Sequence, residues 1–170
     1  MTAAADMTHN VLIRDVRPED VETLVAIAIA AWEPVNACRR QTMGEELFAA
    51  AKPDWQGRKA REIRSACDPQ SRASVCVAEH GGQVVGFVAF YANEVSCIGE
   101  IGNNAVHPDF QGMGIGSSMY RYAFDRLRER GMRFVRVVTG GDAPYAAARR
   151  AYEKAGFCIR VPLVSYYRKL

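Results

Sequence analysis

VHPDFQGMGIGSSMY, Val106 to Tyr120, is the stretch that decides how the rest of the chain reads. Glycines stand at alternate positions, Gly112, Gly114 and Gly116, and a helical pattern follows at once. The first turn of a helix carries N–H groups with no intrahelical acceptor, and the helix dipole adds to their pull on anions. Bare backbone just before that turn lets a bulky anion reach those donors. Each charge-assisted hydrogen bond there is worth roughly 1.5–3 kcal/mol. A pyrophosphate is the ligand such a cradle suits best. A P-loop would need a Lys after the glycines, and Ser117 stands there instead. A dinucleotide fingerprint needs GxGxxG after the first strand of a βαβ unit; here the spacing is GxGxG and it comes late. A glycine-rich turn with no ligand is the remaining alternative.

Working outward, a helix is expected from about Gly114 to Arg130, with Met119, Tyr122, Ala123 and Leu127 on one apolar face and Gly131 at its end. MRFVRVVTG reads as a strand, and PYAAARRAYEKAG as a short helix with Pro144 near its start and Gly156 past its end. FCIRVPLVSYYRKL closes the chain with strand-like residues broken by Pro162. Upstream, CIGEIGNNAV is a strand whose glycines imply a bulge or distortion. SVCVAEHGGQVVGFVAFYA is a hairpin turning at Gly81-Gly82. VLIRDV is a strand, and RPEDVETLVAIAIAAW opens a helix with Pro18, Glu19 and Asp20 in its first turn. TMGEELFAAA and WQGRKAREIRSAC are helical, split at KPD. The element order, β α α β β β α β α β, is that of a mixed α/β layer protein.

Composition narrows the class. The 170 residues are expected to form one domain, residues 1–170, with residues 1–10 a flexible N-terminus. A formal charge of +3 permits an anionic ligand without the basic block of a nucleic-acid binder, so no nucleic-acid partner is expected. Five cysteines with no CxxC pair argue against a disulfide framework or zinc site and for reduced thiols in the cytoplasm. MTAAADMTHN lacks the features of a secretory signal, and VETLVAIAIAAW is too short to span a bilayer, so no membrane partner is expected.

NNAVHPDFQGMGIGSSMY resembles the acetyl-CoA loop of the GNAT superfamily of N-acetyltransferases, in which a strand ending in Val is followed by x-Pro and Gln/Arg-x-x-Gly-x-Gly/Ala. Gln111, Gly114 and Gly116 fill that pattern. ARRAYEKAGF resembles a second family element, Ala-x-x-x-Tyr-Glu-Lys-x-Gly-Phe, one helix and one strand downstream as in the family. The resemblance covers Val11 to about Leu170. It implies an α/β (α+β) fold: a mixed, mostly antiparallel sheet splayed between strands 4 and 5, with helices on both faces.

The resemblance also implies roles. Backbone groups of Asn104, Ala105 and Val106 would pair with the pantetheine arm of acetyl-CoA, the acyl-donor substrate. The N–H groups of Gly112, Met113, Gly114, Ile115, Gly116 and Ser117, following Gln111, would hold the pyrophosphate. Tyr152 stands where relatives often place a Tyr near the thioester sulfur. Many relatives carry an Asn seven residues earlier, where this chain has Tyr145. No metal is implied. Relatives often pair through edge strands, which leaves a homodimer open.

Acyl transfer to an amine needs a neutral amine, donors for the oxyanion and a proton or hydrogen bond for the departing thiolate. Glu100, on the strand entering the splay, is the leading candidate for the base, relaying a proton directly or through water. Relatives that use a fifth-strand Glu have no counterpart here, since FVRVVTG has none. Tyr152 would give a hydrogen bond to the leaving sulfur; full proton transfer from a phenol near pKa 10 to a thiolate near 8.5 is uphill. His107 reads as a turn residue, His9 and His80 as exposed. Arg149 and Arg150 fit either a CoA phosphate or a solvated helix face. Trp32 and Trp55 fall where relatives form the acceptor wall, and Glu33, Glu45, Glu46 and Asp54 are acids that would attract a cationic amine. The expected activity is acetyl transfer from acetyl-CoA to a primary amine of a small molecule or peptide. The alternative is a noncatalytic acyl-CoA-binding regulatory module.

Overall fold

A computed structural model describes residues 11–169, so the expected flexible N-terminus lies outside the described residues. Strand β1 (Val11–Asp15) leads through a 3-10 turn into α1 (Val21–Met43), α2 (Glu45–Ala51) and α3 (Trp55–Ala66). Next come β2 (Ser74–His80), β3 (Gln83–Asn93), β4 (Ile98–Val106), α4 (Ile115–Glu129), β5 (Phe134–Val137) and α5 (Ala146–Lys154). The strands form one sheet in the order β1-β2-β3-β4-β5. The first three pairings are antiparallel and the last, β4 with β5, is parallel. A parallel neighbour requires a crossover, and α4 supplies it.

The hairpin between β2 and β3 turns where the sequence places it. Gly81 and Gly82 have φ of 57° and 79°, the doubly left-handed turn whose twist matches two antiparallel strands. β2 and β3 are covered on both faces, which explains their nearly unbroken apolar runs. Cys76, Ala78, Val88 and Phe90 face α4 and α5; Val75, Val77, Phe87 and Ala89 face α1 and α3. The period-2 alternation of a strand sorts neighbouring residues into two separate cores. Each large side chain fully buried there contributes about 1.5–3 kcal/mol.

Two expectations change. α1 continues past Trp32 through Pro34 to Met43. Pro34 has no N–H to give to the Ala30 carbonyl, a local defect that packing of α1 outweighs. Together with the preceding turn it is 26 residues, with mean hydropathy 1.3 in its most apolar window, so by length and composition it would pass for a membrane span. Its apolar stripe, Leu24, Val25, Ile27 and Ala28, is buried against the sheet and α3. Residues 157–169 of the closing segment FCIRVPLVSYYRKL form no strand: Ile159, Val161, Leu163 and Val164 are exposed. Strand-like composition needs a neighbouring strand to become a ladder, and none of the described strands pairs with this segment. Pro162 also removes one of its ladder donors.

Candidate active site

The site starts where the sheet opens. β4 and β5 pair in register from Ile98 with Phe134 to Ile101 with Val137, and there the ladder stops. β4 runs on to Val106, held by β3 alone, with Asn104 opposite Val88 and Val106 opposite Gly86. Between the pairs Phe90–Ile101 and Val88–Asn104, β4 takes one more residue than β3, the bulge its glycines suggest. Gly102 is required there, because a Cβ would lie 2.7 Å from the Tyr91 ring. Beyond the bulge, adjacent side chains diverge. Asn103 Oδ1 accepts from Lys59 Nζ at 2.8 Å on the α3 side, while Asn104 turns toward α4 and α5.

Past Val106 the chain makes the glycine turn. Gly112 (φ 82°) and Gly114 (φ 78°) occupy the left-handed region, where a Cβ would be strained. Gly114 is the N-cap of α4, and no side chain caps the helix. The first intrahelical bond runs from the Ser118 N–H to the Gly114 carbonyl, 3.2 Å. The amides of Ile115, Gly116 and Ser117 precede it and have no acceptor within the helix. The space a Gly116 side chain would fill is open for 4 Å. These features fit a diphosphate: free donors, a positive dipole end and bare backbone. Ile115 is buried in the core and Met113 packs against it, so those two offer backbone only. The Gln111 side chain turns back instead, and its Nε2 donates to the Val106 carbonyl at 3.1 Å, clasping the turn to the end of β4.

Tyr152 projects from α5 into the same region and is buried. Its hydroxyl accepts from Asn104 Nδ2 at 3.3 Å, and Asn104 Oδ1 accepts from the Tyr120 hydroxyl at 2.8 Å. The tyrosine rings lie 5.7 Å apart. Burial pushes both phenols above their ordinary pKa, and the Asn104 bond partly offsets this at Tyr152. Both hydroxyls therefore stay protonated at neutral pH. Sequence reasoning missed Tyr120 and the Asn104 side chain. Tyr120 stands three and seven residues before Ala123 and Leu127, spacing that marks the buried face. Tyr122 packs at the margin of the same core, its hydroxyl donating to Asp15 at 2.9 Å.

Glu100 sits in the last paired stretch of β4, directly opposite Arg136 on β5. Arg136 donates to Glu100 Oε2 from Nε at 2.8 Å and from a terminal nitrogen at 2.5 Å. The carboxylate is thus already partnered by a cation that the sequence did not single out. Three of the other candidate acids are engaged too. Glu45 pairs with Arg40, Glu46 with Lys169, and Asp54 caps α3 through the Gly57 N–H while reaching Arg61. Trp32 lies under Lys59, with the ammonium 4.5 Å from the ring centre. Trp55 lines a cavity of about 250 Å³ with Arg40, Phe48 and Lys52. Burial, with Arg39 and Arg58 nearby, pulls the Lys52 ammonium below its ordinary pKa.

His9 lies outside the described residues, and several other candidates have partners within the fold. His107 Nδ1 accepts from the Asp109 N–H, as a turn residue should. His80 is half-buried, edge-on to Phe110 at 5.8 Å, rather than exposed. Arg149 donates to the carbonyls of Gly140 and Asp142, bracing that loop. Tyr145 precedes α5 with the Arg39 guanidinium 5.1 Å over its ring. Burial raises the Cys76 thiol to about 12, which makes it an inert core residue.

The family model for the acetyltransferase (GNAT) family matches residues 40–157. The chain belongs to the GNAT acetyltransferase family. A mycothiol acetyltransferase of Sanguibacter keddieii is 31% identical over 159 residues, covering 91% of this chain and 45% of that protein. The chain spans less than half the length of the curated relatives it matches. A GNAT-family acetyltransferase from Desulfovibrio desulfuricans shares the fold, with a TM-score of 0.68, 18% identity and coverage of 89% of this chain and 87% of that one. A GNAT acetyltransferase from Brucella melitensis, solved with acetyl-CoA, has a TM-score of 0.62 and 25% identity, covering 89% of this chain and 84% of that one.

Proposed function

We propose that this GNAT domain transfers an acetyl group from acetyl-CoA to a primary amine by direct attack on the thioester. One observation carries the reading: the half of β4 that has lost β5 leads straight into an uncapped helix N-terminus behind two left-handed glycines. The open edge from Asn104 to Val106 offers backbone groups to a pantetheine arm, and the amides from Gly112 to Ser117 offer donors to a diphosphate. The Gln111 clasp already occupies the Val106 carbonyl, so that contact falls to Asn104 and Ala105.

The amine nitrogen forms its bond to the acyl carbon as the carbon–sulfur bond breaks, with the electron pair leaving on sulfur. Tyr152 gives that sulfur a hydrogen bond. The amine's proton leaves through Glu100 or water and ends on the thiol. Glu100 acts once the acceptor or a water reaches Oε1, which the Arg136 bonds leave free. The Arg136 pair is also the observation favouring the second reading, a noncatalytic acyl-CoA-binding module, because it holds the carboxylate on β5 rather than leaving it for an acceptor. Five free cysteines suit a reducing cytoplasm.

The deciding experiment follows thiol release from acetyl-CoA across a panel of amines: peptide N-termini, lysine, polyamines, aminoglycosides and amino acids. A mycothiol-related amine belongs in it because of the Sanguibacter relative's name. Wild type is compared with Glu100→Gln and Tyr152→Phe. Thiol release that both variants lower supports the enzyme. Tight CoA binding by calorimetry, with no release from any amine, supports the module.

A further inference from the structure

The amide of Asn104 is pinned from three sides. Nδ2 donates to the Gly102 carbonyl at 2.8 Å and to the Tyr152 hydroxyl at 3.3 Å, and Oδ1 accepts from the Tyr120 hydroxyl at 2.8 Å. A carbonyl can only accept, so Gly102 dictates which end of the amide faces it. Turning the amide over would set Oδ1 against the Gly102 oxygen. With Nδ2 fixed, its second proton goes to Tyr152, whose oxygen must act there as acceptor. The Tyr152 proton makes no hydrogen bond among the described residues, although the ring is buried; the Tyr120 oxygen lies beside it, with its own proton given to Asn104 Oδ1. Nothing in the hydrophobic packing of α5 demands this arrangement. An apolar residue at position 104 would leave the Tyr152 hydroxyl free to rotate.

We infer that Asn104 is a positioning residue: by making Tyr152 an acceptor, its side chain turns the Tyr152 proton toward the open splay, where the leaving sulfur of the thioester would lie, with Tyr120 holding the amide in place. This rests on reading Tyr152 as the donor to that sulfur and gives Asn104 a role beyond its backbone. As the sulfur gathers charge, the Asn104 N–H also stabilises the oxygen whose proton is drawn away. No proton need leave Tyr152, so the hydroxyl is ready for the next cycle.

The test measures steady-state thiol release from acetyl-CoA with hydroxylamine, a small amine neutral near pH 7, and with the best amine of the panel. It uses Asn104→Leu, the nearly isosteric Asn104→Asp, Tyr120→Phe, Tyr152→Phe and the double variant Asn104→Leu/Tyr152→Phe. Asn104→Leu is expected to lower kcat about tenfold while KM for acetyl-CoA moves less than about threefold. Asn104→Asp is expected to do at least as much harm, because a carboxylate accepts the Tyr152 proton and turns it away from sulfur. Tyr120→Phe should show a smaller loss of kcat. The double variant should be no slower than Tyr152→Phe within about twofold, since the two residues act through one proton. Coenzyme A calorimetry and melting temperature establish that each variant is folded and binds.

If Tyr152→Phe is slow while both Asn104 variants keep wild-type kcat, the positioning role is wrong and the donor reading stands. Losses that multiply in the double variant would also overturn the positioning role. If Tyr152→Phe itself turns over normally, or wild type releases no thiol above the blank, the donor reading falls and this inference falls with it.

Discussion

The two halves of β4 differ in what lies beside them. Ile98 to Ile101 pair with β3 on one side and β5 on the other, whereas Asn104 to Val106 pair with β3 alone. In the closed half, the ladder is complete and Gly99 packs so tightly that a Cβ would lie 2.7 Å from Leu127. In the open half, backbone groups face the gap left by β5, and Asn104 spends its amide on two tyrosines rather than on packing. One strand thus starts inside a closed ladder and ends on an open edge. The bulge at Gly102 is the join. Glu100 stands just before it, tied to Arg136, and so belongs geometrically to the closed half even though chemistry asks it to serve the open one.

That contrast breaks or sharpens under substitution. The largest effect belongs to Tyr152→Phe: turnover falls about 100-fold, with coenzyme A affinity by calorimetry within a few-fold of wild type. Gly114→Val comes next. At φ 78° a β-branched residue is strained and blocks the cradle, so coenzyme A binding weakens about tenfold or more. Gly99→Ala reports on the closed half, where crowding against Leu127 costs about 1–3 kcal/mol in denaturant melts and leaves KM unchanged. If Gly99→Ala harmed binding more than stability, the division of the strand would be wrong.

Arg136→Gln tests the residue at the join. An exposed ion pair contributes about 0–1 kcal/mol, so stability hardly moves, while turnover rises if releasing the Glu100 carboxylate lets it reach the acceptor. Unchanged turnover there, with normal turnover in Glu100→Gln, would remove Glu100 from the mechanism. The smallest effect is on alkaline stability. Burial raises the folded pKa of Tyr152 above its unfolded value, near 10, so its contribution to stability is present below pH 10 and is lost as pH rises through the folded value. Tyr152→Phe should therefore unfold less readily than wild type on alkaline titration above about pH 10.

What could be read from the sequence was local. The Gly81-Gly82 hairpin, the glycine turn before α4, the end of α4 near Gly131 and the bulge in β4 each depend on a few adjacent residues whose backbone preferences are strong. The missed features join distant residues. Asn104 meets Tyr120 and Tyr152, 16 and 48 positions away, and Glu100 meets Arg136, 36 positions away. No short-range pattern records such pairs. The closing segment misled for the opposite reason: its composition suits a strand, but a ladder is a property of two segments and this one has no described partner.

The sequence alone determined the elements from β1 to α5, the position of the glycine turn before α4 and the family, because turn glycines and amphipathic periods act within a few residues. Only the tertiary structure decided that β5 ends at Val137 and leaves half of β4 open, that Glu100 is held by a guanidinium, and that an asparagine bonds two buried tyrosines. Those outcomes depend on which side chains the packed layers bring within hydrogen-bonding distance, and chain order does not specify that.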